Sequence, residues 1–449
     1  MNNKNSTRSR SLPRWIRQIF FLSRKKLVNL KKYTAHHKSN QKLLFLSIVA
    51  TTIATILLIT YGIANWQNSQ KTPLISSGNT PNRSTAQPIQ PPLIVSSSSI
   101  PNSIPQIPPK VPLWAKNSKD FQLPAHRSIW DNNRGISYVP DNKPLFQPSK
   151  KLTAVVGKII NLINKRKLRT DRVSITLIDA NTSEIAEYQQ DKLRFPASIA
   201  KLFWLVTLEG QIEAKMWNNS VAFDPFVKKM MTESDNDSSS FIIDNITGSY
   251  SSKEQVPDNI LKPWLKQRQF RINEYFKAAE YNPNINLTQK TYPIPYLELS
   301  KPTGNELQIR ANPTNLNQPI RNSLTTFDAA RLMYEACYKK QAVSDATSTK
   351  ICSLLERNVD KKEWSKIKAD DFNPIQSFFG EYLPNKNVKF YSKAGWVPTL
   401  TRAEVCLVKI LDQNKSYVLA VFAEDPAFDK DKIIFPEISK LVYNEMKYT

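Results

Sequence analysis

Residues 195–201 read Phe195-Pro196-Ala197-Ser198-Ile199-Ala200-Lys201 and run directly into the apolar stretch Leu202-Phe203-Trp204-Leu205-Val206. A serine and a lysine three apart share one face of a helix, so the lysine amine can lie against the serine hydroxyl as its base. No charge interrupts the apolar run before Glu209, and the spacing predicts a helix buried on all sides. Such a helix holds Ser198 and Lys201 at its N-terminal end, where free amides and the helix dipole favour a developing negative charge. Ser-x-x-Lys recurs by chance in many chains, so the pair gains meaning only from what surrounds it.

Upstream, Lys151-Leu152-Thr153-Ala154-Val155-Val156 opens a stretch with apolar residues at helical spacing. Arg172 to Asp179 alternates like a strand, Ala180-Asn181-Thr182 supplies turn chemistry, and Glu184 to Tyr188 returns as its partner. Residues 207–370 carry mostly helical pattern, including a helix through Phe327 to Met333 that Thr325 or Thr326 can cap. Strands resume at Val388 to Tyr391, Glu404 to Ile410 and Tyr417 to Ala423, before a last helix near Phe435 to Met446. The expected fold class is α+β: an antiparallel sheet, built from the first hairpin and the last three strands, flanked by helices, plus an all-helical subdomain.

Ser234 follows Ser198 in Thr232-Glu233-Ser234-Asp235-Asn236, and Tyr391-Ser392-Lys393-Ala394-Gly395-Trp396 comes at the start of the returning strands. Ser-x-x-Lys, Ser-Asp-Asn and Lys-x-Gly in this order resemble the motif set of class A β-lactamases and penicillin-binding serine hydrolases. Residues 150–449 are similar to that family as a domain, whereas the preceding segments and about ninety residues after Ser-Asp-Asn do not match it closely. The resemblance implies Ser198 as nucleophile, Lys201 as its base and Ser234 as proton relay to the leaving nitrogen. It further implies Asn236, Lys393 and Gly395 as substrate-binding residues, with an oxyanion hole from the backbone amides of Ser198 and Trp396. The implied substrate is a β-lactam amide, opened through an acyl-enzyme; the alternatives are a D-alanyl peptidase or transpeptidase on wall peptide, and a slow wall-binding module. Two departures stand out. Ala394 replaces the hydroxyl of Lys-Thr-Gly, with Ser392 or Thr399 as substitutes, and no Glu-x-x-Leu-Asn supplies a deacylating glutamate, leaving Glu298 and Glu306 as candidates.

Other chemistries find little here. The three histidines are His36, His37 and His126, all ahead of the domain, so a Ser-His-Asp triad is not expected. No Cys-x-x-Cys, phosphate loop or dinucleotide fingerprint occurs, so neither a metal nor a cofactor is expected. Three buried thiols are expected at Cys337, Cys352 and Cys406, with an oxidised Cys337–Cys352 pair as the alternative in an oxidising compartment.

The net charge of +25 is uneven, because residues 1–42 hold twelve Lys or Arg and no Asp or Glu. Leu43 to Ala64 is free of charge over a length of about 33 Å as a helix, enough for a bilayer core. The basic tail therefore stays in the cytoplasm and the rest crosses to the periplasmic or extracellular side. That argues against nucleic-acid binding by the tail; a cleaved signal ending at Gly62-Ile63-Ala64 is the alternative to a retained anchor. Fourteen of the thirty prolines fall between residues 67 and 150, so residues 65–149 read as a Pro- and Ser-rich linker, disordered over its middle. Its aromatic residues Trp114, Phe121, Trp130, Tyr138 and Phe146 are candidates to pack on the domain.

Overall fold

The computed structural model describes residues 110–116, 123–124, 138 and 143–448, apart from residues 316 and 369. The basic tail, the Leu43 to Ala64 span and most of the linker lie outside the described residues. Among the described residues, no helix is long and apolar enough to cross a membrane.

The centre is a seven-stranded sheet. Its strands are β1 (Gln147–Pro148), β2 (Val173–Asp179), β3 (Glu184–Tyr188), β4 (Glu356–Arg357), β5 (Val388–Val397), β6 (Thr401–Ile410) and β7 (Lys415–Ala423). They lie in the order β1-β3-β2-β7-β6-β5-β4. All neighbours are antiparallel except β1 and β3, so the sheet is mixed rather than wholly antiparallel. The two-residue edge strands β1 and β4 carry too little pattern to be read from sequence. The expected first hairpin is β2–β3, and it joins the later strands through β7.

Strand alternation sorts the core into two layers. Ile175 and Leu177 of β2, Cys406 and Val408 of β6, and Leu419 and Val421 of β7 face one side. There they meet α1 (Lys150–Lys165) and the last helix of the chain, Ile434–Tyr448, through Leu152, Val156, Ile159, Ile438 and Val442. Ile178, Val405, Leu407, Val418, Ala420 and Phe422 face the other side. That layer is filled by α2 (Ala200–Glu213), α3 (Asp224–Thr232), α4 (Asn236–Thr247), α5 (Asp258–Lys277), α6 (Thr326–Cys337) and α7 (Asp345–Leu355). The last helix is α8. Both faces of the sheet are covered, which is why its central strands are apolar on both sides.

Helix α2 is buried along its length, with Leu202 to Val206 wholly inside, as the uninterrupted apolar run implies. The helical expectation for residues 207–370 holds for α3 to α7 but not for residues 280–322. That stretch contains only single turns, at Pro295–Leu297 and Gly304–Gln308. Pro283, Pro293, Pro295, Pro302, Pro313 and Pro319 remove helix donors. Asparagine side chains serve the backbone instead: Asn322 bonds both ways with Gln289, and Asn305 bonds Ser252 and Tyr250.

Part of the chain ahead of α1 is packed. Trp114 lies 4.9 Å, centroid to centroid, from Phe226 of α3, and Phe146 meets Tyr334 of α6 edge-on at 5.1 Å. Tyr138 is buried among Tyr275, Phe276 and Tyr281, and its hydroxyl donates to Glu335 Oε2 at 2.8 Å. Cys337 and Cys352 are joined as a disulfide between α6 and α7, so the oxidised alternative stands and three free thiols do not. Cys406 is free and buried.

Candidate active site

Ser198 sits in a single 3-10 turn, Ala197–Ile199, that feeds α2. The turn is entered through Ala197 at φ +47°, a left-handed backbone that side chains rarely adopt, which sharpens the bend presenting Ser198. Strand β5 passes directly over it. A Cβ built on Gly395 would lie 2.5 Å from the Pro196 carbonyl oxygen and 3.0 Å from the Ser198 amide nitrogen. Only glycine lets the strand approach this closely, and the approach sets Gly395, with Trp396 next along the strand, beside the Ser198 amide.

Lys201 is fully buried one turn into the helix. It was expected against Ser198 Oγ. Its amine donates instead to Asn236 Oδ1 at 2.8 Å, to Ser234 Oγ at 3.3 Å and to the Ser234 carbonyl oxygen. Burial drives its pKa down to about 7, partly opposed by the charge of Asp235. Near neutrality a large fraction of the amine is therefore uncharged, with a lone pair free to accept a hydroxyl proton.

The Ser-Asp-Asn segment divides its work in a way that residue types alone do not show. Asp235 is the N-cap of α4, its side chain accepting from the Ser238 amide at 2.7 Å. Ser234 takes a left-handed φ of +57° just before it, which turns both its carbonyl and its hydroxyl toward Lys201. Asn236, in the first turn, reaches the same amine.

Lys393 comes from β5 and is buried. Its amine donates to Ser234 Oγ at 2.9 Å and to the Ala394 carbonyl at 3.1 Å. Burial holds its pKa well below the ordinary lysine value, and the nearby charges of Lys201 and Arg357 push the same way against Glu404. Ser234 Oγ thus stands between two lysine amines of depressed basicity. The structure brings Lys201, Ser234, Asn236 and Lys393 into direct contact and sets Gly395 against the Ser198 turn.

The substitutes considered for missing groups do not take those places. Ser392 pairs with Cys406 and shares with Ala394 the face opposite Lys393, because successive strand residues point to opposite sides. Thr399 lies in the β5–β6 turn, where its amide donates to Asp429 Oδ2 at 3.1 Å. Glu298 is exposed and paired with Lys253 at 2.6 Å. Glu306 is wholly buried. Burial raises its pKa, but Arg268 and Lys290 outweigh that and leave it below the usual value, with Arg268 at 2.7 Å and Ser251 donating at 2.8 Å. Among the described residues, no carboxylate bonds to Lys201, Ser234 or Lys393.

Sequence reasoning missed three neighbours of the site. Arg357, on the short strand β4, is half-buried and its charge acts on Lys393. Phe372 places its ring 6.0 Å from the Lys393 amine. Asp429 accepts from the Trp396 indole nitrogen at 2.6 Å. None stands in a motif, and no sequence signal marks them.

The family model described as the beta-lactamase enzyme family matches residues 209–446, more than half of the chain; Ser198 and Lys201 lie just ahead of the matched stretch. Solved structures with a similar fold include a β-lactamase from Sphaerobacter thermophilus, at 14% identity and TM-score 0.43, covering 65% of this chain and 98% of that one. The chromosome-encoded β-lactamase of Vibrio parahaemolyticus is 13% identical, with TM-score 0.44, and covers 66% of this chain and all of its own. PBP-A is 15% identical, with TM-score 0.44, and covers 69% of this chain and all of its own. No curated protein matches. The chain belongs to the beta-lactamase enzyme family.

Proposed function

We propose that this protein is a serine acyl-transferring hydrolase whose acyl-enzyme, formed on a β-lactam or a D-alanyl wall peptide, is long-lived. The observation that carries this reading is Ser234 Oγ held by Lys393 at 2.9 Å and by Lys201 at 3.3 Å, one helical turn from Ser198. Neutral Lys201 takes the Ser198 proton as Ser198 Oγ attacks the amide carbonyl. The oxygen becomes an oxyanion beside the amides of Ser198 and Trp396. As the carbon–nitrogen bond breaks, Ser234 gives its proton to the leaving nitrogen and regains one from the Lys201 ammonium, so the proton count balances. Lys393 holds the Ser234 oxygen in place and offers an amine hydrogen-bond donor to a substrate carboxylate.

A long-lived acyl-enzyme is favoured over rapid turnover because both candidate glutamates are committed elsewhere, Glu298 to Lys253 and Glu306 to Arg268. This favours the penicillin-binding reading over a fast β-lactamase. A second proposal concerns place: the protein is held in the cytoplasmic membrane by Leu43 to Ala64 with its catalytic domain outside. The Cys337–Cys352 disulfide supports an oxidising compartment for that domain.

The full chain in detergent, incubated with a fluorescent penicillin beside Ser198→Ala, tests the chemistry. A stable label on the wild type and none on the variant supports the reading; rapid release would make it a β-lactamase, and Ser198-independent labelling would remove the mechanism. Topology reporters fused at residues 40 and 70 test the anchor, which fails if both report cytoplasm.

A further inference from the structure

Arg357 is half-buried on β4, just past the end of α7, where its guanidinium meets two segments that each carry a site residue. One arm, Nη2, donates to the Met231 carbonyl at 2.6 Å and to the Ser392 carbonyl at 3.2 Å. Met231 is in the last turn of α3, three residues before Ser234, and Ser392 immediately precedes Lys393 on β5. The other arm, Nη1, donates to the Leu354 and Glu356 carbonyls at 3.1 and 3.4 Å, which fixes the guanidinium to its own element.

We propose that Arg357 is a positioning residue that holds the Ser234 turn and the Lys393 strand in register, setting the Lys393–Ser234 contact that holds the proton-relaying hydroxyl in place. It touches neither the reacting serine nor the lysine amines. The inference deepens the acyl-transfer reading above and rests on it for the purpose of that contact.

The planar guanidinium matters because one nitrogen reaches both carbonyls while its partner is anchored, a geometry that a lysine ammonium on a flexible stem reproduces poorly. Charge adds to position. The groups facing Lys393 are Lys201 from α2, Arg357 from β4 and Glu404 from β6. Burial brings Arg357 down to about 10, so it remains charged at neutral pH, and burial raises Glu404 to about 8, so most of it is uncharged there. The Arg357 charge is thus poorly compensated and disfavours the charged, protonated form of Lys393.

The test uses full-length Arg357→Met and Arg357→Lys in detergent, with three readouts: thermal melting, the rate of labelling by a fluorescent penicillin across pH, and the Lys393 titration midpoint by 13Cε-lysine NMR, assigned with Lys393→Arg. Removing a neighbouring like charge should raise the Lys393 midpoint in Arg357→Met by roughly one pH unit. Labelling should slow about a hundredfold in Arg357→Met and about tenfold in Arg357→Lys, which keeps the charge but not the fork. Arg357→Lys should also restore the midpoint, separating charge from position. A folded Arg357→Met with the wild-type rate and midpoint overturns the inference, as does a wild-type rate in Arg357→Lys should the methionine variant not fold. If the wild type takes no label, the acyl-transfer reading falls, and the Lys393 midpoint in Arg357→Met alone decides whether Arg357 controls that amine.

Discussion

Lys393 Nζ donates to Ser234 Oγ at 2.9 Å, joining a sheet strand to a helix-entry turn 159 residues away in the chain. The same oxygen lies 3.3 Å from the Lys201 amine, so one hydroxyl is held between two buried lysines. Burial disfavours the charged form of both amines, the charge of Lys201 adds to the effect at Lys393, and depressed basicity is the physical consequence. That consequence makes the site testable by pH.

Acylation should rise as pH increases through about 7, where Lys201 loses its proton, because only the neutral amine accepts the Ser198 proton. A labelling-rate profile measured from pH 5 to 9 checks this. A rate that falls over the same interval would assign the base to another group.

Lys201→Met should abolish labelling while altering stability in a pH-dependent way. The folded-state pKa of Lys201, about 7, lies below the ordinary lysine value of the unfolded chain. Its linkage term favours folding fully above the unfolded pKa and is lost as pH falls through the folded one. The melting temperature of the variant relative to wild type should therefore be highest near pH 6 and decline toward pH 10. Melting curves at four pH values measure the trend.

Gly395→Ala should destroy acylation with a moderate loss of stability. The added methyl meets the Pro196 carbonyl at 2.5 Å and the Ser198 amide at 3.0 Å, both backbone atoms that cannot rotate away. Overpacking of this kind costs about 1–3 kcal/mol, and the displaced Ser198 turn removes the oxyanion site. Denaturant melts and labelling of the same sample separate the two effects.

Glu306→Gln should destabilise the fold without lengthening the life of the acyl-enzyme. Arg268 and Lys290 would keep Asp244 but lose their second buried partner, and breaking such a network costs about 3–5 kcal/mol. A deacylating glutamate would behave in the opposite manner, with persistence rising and stability little changed. Chase of the fluorescent label in the variant decides between them.

Tyr138→Phe should lower stability by about 1–3 kcal/mol, because Glu335 loses one of its two tyrosine hydroxyl donors inside the core. Urea unfolding of the full chain measures it. No change would mean that the segment ahead of α1 contributes little to holding the domain.

The order of Ser198, Lys201, Ser234, Asn236 and Lys393 was legible in the sequence because each lies in a short motif whose residue types state their chemistry. The central strands were legible as well, since apolar residues recur along them between clear turn signals. Less was legible where irregular backbone is stabilised by distant side chains. Residues 280–322 read as part of a helical region, yet prolines and asparagine bonds keep them extended or turned. Glu298 and Glu306 could not be told apart by pattern, because their difference lies in Lys253 and Arg268, partners 45 and 38 residues away.

By itself, the sequence determined which motif residues are candidates for chemistry and which runs must be buried, because motif spacing and apolar periodicity are local properties of the backbone. Only the tertiary structure decided that Lys201 rests on Ser234 and Asn236, that Ser392 faces away from Lys393, and that Arg357 bridges the two halves of the site. These are facts of strand face and long-range approach. They are settled by how the sheet and helices pack, and no local pattern in the chain records them.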